Sequence, residues 1–288
     1  MSNLKPALYL VATPIGNLGD MSYRAVETLK SVSTIYCEDT RVAAKLLRHY
    51  DIRTRTQAYH EHNADKQRPR IQSAIESGEA IALISDAGMP LISDPGYKLV
   101  RELSNDGVTV TSIPGCTATL TGLQLSGLPT DRFLFAGFLP QKDGAKRALL
   151  KTFAATPATV IYFDTAPRVA NTCAVALEVL GDRPAAIARE LTKMFEEVIR
   201  GTLSELIEKL SARDQLRGEL VLIIDRAEDE EQDPEQVDAA LLDALKDLPT
   251  KQAANQVAEH FGLPKRDVYQ RALELKNGET KDSNRLDV

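Results

Sequence analysis

The feature that most constrains this chain recurs through its first third: a short run with almost no polar position, a glycine or proline turn, then an amphipathic stretch. Leu8 to Ala12, Thr34 to Cys37, Ala80 to Ser85 and Val108 to Ile113 are such runs. A strand with one wet face alternates apolar and polar residues, so a strand apolar nearly throughout must be covered on both faces, as in a parallel sheet. Met21 to Lys30, Lys66 to Ser77 and Gly96 to Asn105 carry helical spacing between them. Strand, helix and strand in succession predict an α/β fold.

After Gly115 the pattern loosens, with strands expected at Arg132 to Gly137, Thr159 to Phe163, Ala185 to Arg189 and Glu219 to Asp225. A chain of 288 residues divides naturally into units of about 100 to 150 residues. We therefore expect one α/β domain over residues 1–114 and a second over 115–227. Residues 228–249 read as an acidic linker and helix, because Glu228 to Glu235 is acidic and broken by Pro234. Residues 250–288 read as a helix-turn-helix-like extension and tail. Thr250 can cap its first helix, Gly262 can end it, and Pro264 suits the first turn of the next. Ala253, Val257, Phe261, Val268, Ala272 and Leu275 would give both helices an apolar face.

No stretch approaches the roughly 18 consecutive apolar residues of a membrane span, and the polar N-terminus lacks the pattern of a signal peptide. A cytoplasmic protein without a membrane partner is expected. The cysteines Cys37, Cys116 and Cys173 are far apart and, like the four histidines, lack ligand spacing, so no metal is expected. Net charge is −6, yet residues 225–247 alone hold ten acids against two bases, which leaves the remainder at +2. From Arg41 to Arg70 there are eight Lys/Arg against three acids, with three of the four histidines. That stretch is either a polyanion-facing surface or a solvated face. Arg41, Arg53 and Arg55 are its candidate phosphate contacts, and Lys265, Arg266 and Arg271 are their counterparts on the last helix.

Ligands of an open parallel sheet bind beyond the carboxyl ends of its strands. The first such loop, Ala12 to Asp20, contains Gly-x-x-Gly only, and Pro14 removes an amide that could cradle a pyrophosphate, which disfavours a nicotinamide enzyme. Glu38-Asp39 suits a ribose-binding acid or a helix cap. Ser85 to Gly96 places two Asp/Gly/Pro clusters around an apolar pair, a rigid loop whose amides and carbonyls can hold an amino-acid-like ligand. Pro114-Gly115-Cys116-Thr117-Ala118 lets a ligand approach the backbone, and Ala188 to Lys193 sets three ionisable side chains at a strand end. No nucleophile-and-base set is recognisable, so covalent catalysis has no candidate.

In this order, Thr13 to Leu18, Glu38-Asp39-Thr40-Arg41, Ser85 to Gly96, Pro114-Gly115 and Ala188 to Lys193 resemble the ribosomal small-subunit RNA 2′-O-ribose methyltransferase I family, of the tetrapyrrole-methylase-like (class III) superfamily. The likeness covers about residues 7–225. It implies two α/β domains of the tetrapyrrole methylase fold with S-adenosylmethionine in the cleft between them, and a C-terminal helical extension. Carried over residue by residue, it sets Asp86, Ala87, Gly88 and Leu91 against the methionine part, followed by Thr117 and Ala118, with Phe163 and Leu191 holding the adenosine. It implies methylation of the 2′-oxygen of a cytidine in the decoding centre of 16S rRNA, in the small subunit, by a homodimer. Met89 and Cys116 stand where the family carries Thr and Pro, and Phe163 to Arg168 is a loose version of its Tyr-Glu-Ser-x-x-Arg segment.

Methyl transfer from a sulfonium is an in-line displacement, helped chiefly by alignment, while a ribose hydroxyl needs a proton acceptor. Glu38, Asp39, His60 and Lys193 are the candidates. Two other readings are a methylase of the same fold acting on a tetrapyrrole precursor or a modified protein residue, and a noncatalytic ribosome-associated RNA-binding protein.

Overall fold

The computed structural model describes residues 4–213, 216–227 and 234–283, with side chains to residue 276. Residues 1–227 form one compact unit and 228–288 another. The first unit contains two five-stranded sheets.

The first sheet is wholly parallel. Its strands are β1 (Ala7–Val11), β2 (Thr34–Cys37), β3 (Arg55–Ala58), β4 (Ala80–Ile84) and β5 (Val110–Ile113), in the order β3-β2-β4-β1-β5. Helices α1 (Tyr23–Ser31), α2 (Thr40–His49), α3 (Ala64–Glu76) and α4 (Tyr97–Asn105) connect them. Leu29, Ile35, Leu47 and Ala82 pack one face of the sheet, while Leu8, Ile71, Ile81 and Leu99 pack the other. Every residue of β2 and β4 is buried. Both faces are thus covered, as the unbroken apolar runs require. Burying each large aliphatic side chain contributes about 1.5–3 kcal/mol.

Sequence reading missed β3. Its residues, Arg-Thr-Gln-Ala, are polar because it is the edge strand, reached by few core contacts. The run at Ala80 is consequently the fourth strand and that at Val110 the fifth. Arg55 opens this edge strand with its side chain exposed.

The second sheet is mixed. After α5 (Ala118–Ser126) come β6 (Phe133–Phe138), α6 (Asp143–Thr152), β7 (Thr159–Thr165), α7 (Ala166–Leu180), β8 (Pro184–Arg189), β9 (Glu197–Thr202), α8 (Leu203–Ser211) and β10 (Glu219–Ile224). The order is β6-β7-β10-β8-β9, with β6 parallel to β7 and the other pairs antiparallel. Strand β9 also escaped the sequence reading, since Glu-Val-Ile-Arg-Gly-Thr offers two apolar residues at an edge. Tyr162, Cys173, Ile187 and Leu222 fill the core beneath α6, α7 and α8. On the opposite face Ile161, Ala186, Val221 and Leu123 of α5 pack together, and Ile15 from the β1–α1 loop joins them. That contact brings the carboxyl ends of the first sheet against the second.

Residues 228–233 of the acidic run and 284–288 of the tail lie outside the described residues. The second unit holds α9 (Pro234–Asp247), α10 (Thr250–Phe261) and α11 (Lys265–Ser283). Ala253, Val257, Val268 and Ala272 are buried in its core, with Phe261 and Leu275 packed against it, as the spacing predicts. Gly262 ends α10 in the left-handed region at φ 66°. Thr250 is the first helical residue rather than the cap, a position taken by Pro249. Among the described residues no helix is long and apolar enough to cross a membrane.

Candidate functional site

Where the first sheet's carboxyl ends meet the second sheet there is a cleft of about 330 Å³, within the size range of small-molecule sites. Its floor is the loop after β4. Gly88 is held in a two-way backbone bridge to Thr13 at the end of β1, with N–O distances of 2.9 and 3.1 Å, and its carbonyl also accepts from the Ser85 hydroxyl at 2.9 Å. The backbone is then forced through Leu91 at φ 71°, Ser93 at φ 67° and Gly96 at φ 137°. Left-handed conformations of non-glycine residues are sparsely populated and gather where a fold holds a site in place.

Asp86, Ala87, Gly88, Thr117, Ala118, Phe163 and Leu191 all line the cleft. Leu91 does not. Its side chain lies over Gly96 and packs into the core between β4 and α4, where it anchors the loop instead of facing a ligand. Gly88 sits at φ 80°, and a β-carbon there would meet Ile15 at 3.4 Å and the Cys116 carbonyl at 3.6 Å. The apolar wall is aromatic: Phe163 stands edge-to-face with Phe135 and Phe138, at centroid distances of 4.7 and 5.3 Å. Phe138 is 58% exposed and also lines the cleft. It escaped sequence reading because β6 shifts register between Phe135 and Phe138, so no strand alternation marks it as inward-facing.

The loop after β8 closes the other side, with Glu190 at φ 50° and Thr192 at φ 65°. Lys193 Nζ binds Glu190 Oε1 at 2.9 Å and Glu219 Oε2 at 3.0 Å. Burial pulls its pKa down, but these two carboxylates outweigh burial and leave it raised. Lys193 is therefore a poor base, although it lines the cleft. Its loop lies tightly on the β1–α1 loop, where a β-carbon at Gly16 would come within 2.6 Å of Lys193 Cγ and 2.9 Å of the Leu191 carbonyl.

The other candidate bases lie outside the cleft lining. Asp39 caps α2, accepting from the Arg41 amide at 2.8 Å and pairing with its guanidinium at 2.7 Å. Those bonds lower its pKa to about 2. Glu38 faces a neighbouring crevice together with Tyr59, Pro90 and Asp94. His60 has a buried Nδ1 without a hydrogen-bond partner and stacks edge-on with His62. Asp164 lines the cleft but is tied up, accepting from Thr172 Oγ1 at 2.5 Å and the Thr165 amide at 2.8 Å and pairing with Arg168 at 3.1 Å.

Asp94 is different, and the sequence did not single it out. It borders both cleft and crevice and has no hydrogen bond or ion pair among the described residues. Burial, and then the negative charges of Glu38 and Asp86, push its pKa up to about 6. The only signal in the sequence was its place in the dense Ser-Asp-Pro-Gly turn, which cannot report desolvation.

Among the proposed phosphate contacts, Arg41 is 89% exposed beside Asp39, Arg53 is paired with the exposed Asp51 at 3.2 Å, and Arg55 is exposed. In the second unit Arg271 is committed to Asp238 at 2.5 Å, linking α11 to α9, and to Glu274 at 3.1 Å. Lys265 pairs with Glu259 at 2.8 Å. Arg271 thus braces α11 against α9, and Arg266 keeps an exposed side chain without an ion pair. Among the described residues no His, Cys, Asp and Glu side chains gather as a metal site would need.

The family model for tetrapyrrole (corrin/porphyrin) methylases matches residues 7–207, and that for the RsmI C-terminal HTH domain matches residues 231–276. A ribosomal RNA small subunit methyltransferase I of Mesorhizobium japonicum is 49% identical over 275 residues, 95% of this chain and 94% of that protein. A protein of the same name from Vibrio cholerae is 44% identical over 94% of this chain and 96% of its own length. The solved uroporphyrin-III C-methyltransferase of Thermus thermophilus complexed with S-adenyl homocysteine shares the fold at a TM-score of 0.51 and 20% identity, over 75% of this chain and 96% of that one. Fold, cleft and similarity along the whole chain agree: it belongs to the ribosomal RNA small subunit methyltransferase I family, built on the tetrapyrrole methylase fold.

Proposed function

We propose that this chain is a cytoplasmic enzyme, active as a homodimer, that moves a methyl group from S-adenosylmethionine to the ribose 2′-oxygen of a cytidine in the decoding centre of 16S rRNA. The observation that carries the reading is the cleft itself, walled by the loops after β4, β5 and β8 and by the end of strand β7, in a chain whose relatives are named small-subunit rRNA methyltransferases.

The cleft suits this cofactor. Asp86, Ala87 and Gly88 would hold the methionine part, with a carboxylate for its ammonium and a Gly88 cradle that a β-carbon would fill. Thr117 and Ala118 leave room at the backbone, and Phe163 and Leu191 offer an apolar slot for the adenosine. Bound there, the cofactor supplies a methyl group on a sulfonium, whose positive charge disappears on transfer. The protein's part is alignment and exclusion of water, for which strained loops on both sides of the cleft are well placed.

The test is mass spectrometry of 16S rRNA from small subunits of a strain lacking the enzyme. Incubation with the chain and S-adenosylmethionine should add one methyl, on a cytidine ribose in the decoding centre. A methyl on the base or elsewhere in the RNA would overturn the position, and methylation of a tetrapyrrole but no RNA would overturn the substrate. Sedimentation of a monomer at micromolar concentration would overturn the dimer.

A further inference from the structure

Five carboxylates line the cleft: Asp86, Asp94, Asp164, Glu190 and Glu219. Four have partners. Asp164 is held by Arg168, Thr172 and a backbone amide. Glu190 and Glu219 share Lys193, and Asp86 accepts from the Asp39 amide at 3.4 Å. Asp94 alone has neither a hydrogen bond nor a cation among the described residues. The groups facing it are two further acids, Glu38 at the end of β2 and Asp86 on its own loop, and the Tyr59 hydroxyl-bearing ring at the end of β3.

The backbone leading to this carboxylate is strained, with Leu91 and Ser93 at positive φ, and Gly96 after it takes a positive φ open to glycine. Leu91 pins the loop to the core. A fold that holds an unpaired, half-buried acid against like charges gives up stability there, a pattern that gathers at functional sites.

We propose that the Asp94 carboxylate takes the proton from the ribose hydroxyl that is methylated. This rests on the reading of the cleft as a ribose methyltransferase site. The hydroxyl proton moves to an Asp94 oxygen, the ribose oxygen forms the new C–O bond to the methyl carbon, and the carbon–sulfur pair stays on sulfur, which becomes a neutral thioether. The proton then leaves Asp94 for solvent. An acid whose pKa sits near 6 is ionised at neutral pH yet remains more basic than an ordinary aspartate, as a general base requires.

Because the folded-state pKa lies above that of the unfolded chain, folding is favoured most while Asp94 is protonated, and that contribution is lost as pH rises through about 6. In the full chain, Asp94→Asn should therefore melt about 3 °C or more above the wild type at pH 8 and close to it at pH 4. Its calorimetric affinity for S-adenosylmethionine should hold, while kcat on small subunits falls about 10²–10⁴-fold with little change in KM. The rise of the wild-type rate with pH across 6 should vanish in the variant. Wild-type-like turnover in Asp94→Asn, or an unchanged melting difference between pH 4 and pH 8, would overturn the assignment. A loss of turnover in Glu38→Gln with Asp94→Asn still active would transfer the role to Glu38. A wild-type chain that methylates no ribose would instead overturn the functional reading and the role with it.

Discussion

Gly88 shows how much one residue decides in this site. Its positive φ lets the β4 loop turn back onto Thr13, and its missing side chain leaves the cleft floor open between Ile15 and Cys116. A β-branched residue would both strain the backbone, by about 1–2 kcal/mol, and fill the floor. Gly88→Val should abolish S-adenosylmethionine binding in calorimetry while the chain still unfolds cooperatively. Retained affinity would remove this loop from the cofactor site. Asp39 and Lys193 teach the opposite lesson. Both are of the right chemical type for a base, yet Arg41 pairs with one and Glu190 and Glu219 with the other, which residue type alone does not show.

At the scale of elements, α2 and β3 present a basic face. Arg41, Arg53 and Arg55 are all exposed, and the two that have acidic neighbours form surface pairs, which contribute little and exchange readily for a phosphate. Replacing all three by Ala should weaken binding to 16S rRNA and reduce the slope of log affinity against log salt by about 2, with cofactor affinity unchanged. A full salt slope in the triple variant would mean that this face only meets solvent. The last helix reads differently from its sequence. Residues 234–276 hold seven acids against six Lys/Arg, and Lys265 and Arg271, two of the three proposed phosphate contacts, have acidic partners within the unit. Arg266 is the one whose substitution tests RNA contact in that unit without unbracing its helices.

For the whole molecule, every residue lining the cleft lies within residues 1–227, a compact unit with its own cores. A chain ending at Ala227 should fold and bind S-adenosylmethionine as the full chain does. If the helical unit is a substrate arm, that shortened chain should lose most methylation of small subunits, measured as methyl incorporated per 16S rRNA. Full activity would defeat the substrate-arm reading, and loss of cofactor binding would assign the helices a packing role.

The sequence by itself determined the parallel sheet, because runs such as Ala80 to Ile84 have no wet face and admit little else. It also determined the helical pair behind Pro249, through the spacing of Ala253, Val257, Val268 and Ala272 and the glycine stop at 262. The loops of the cleft were legible as a set, since Asp/Gly/Pro density survives in one dimension. Edge strands β3 and β9 were not, because an edge is defined by which neighbour is absent, and polar residues there look like loop. Nor was the division of labour among the acids. Whether a carboxylate caps a helix like Asp39, neutralises a lysine like Glu190 or stands alone like Asp94 depends on distances between residues far apart in the chain. Burial and partners set its proton affinity, and only the tertiary structure brings these together.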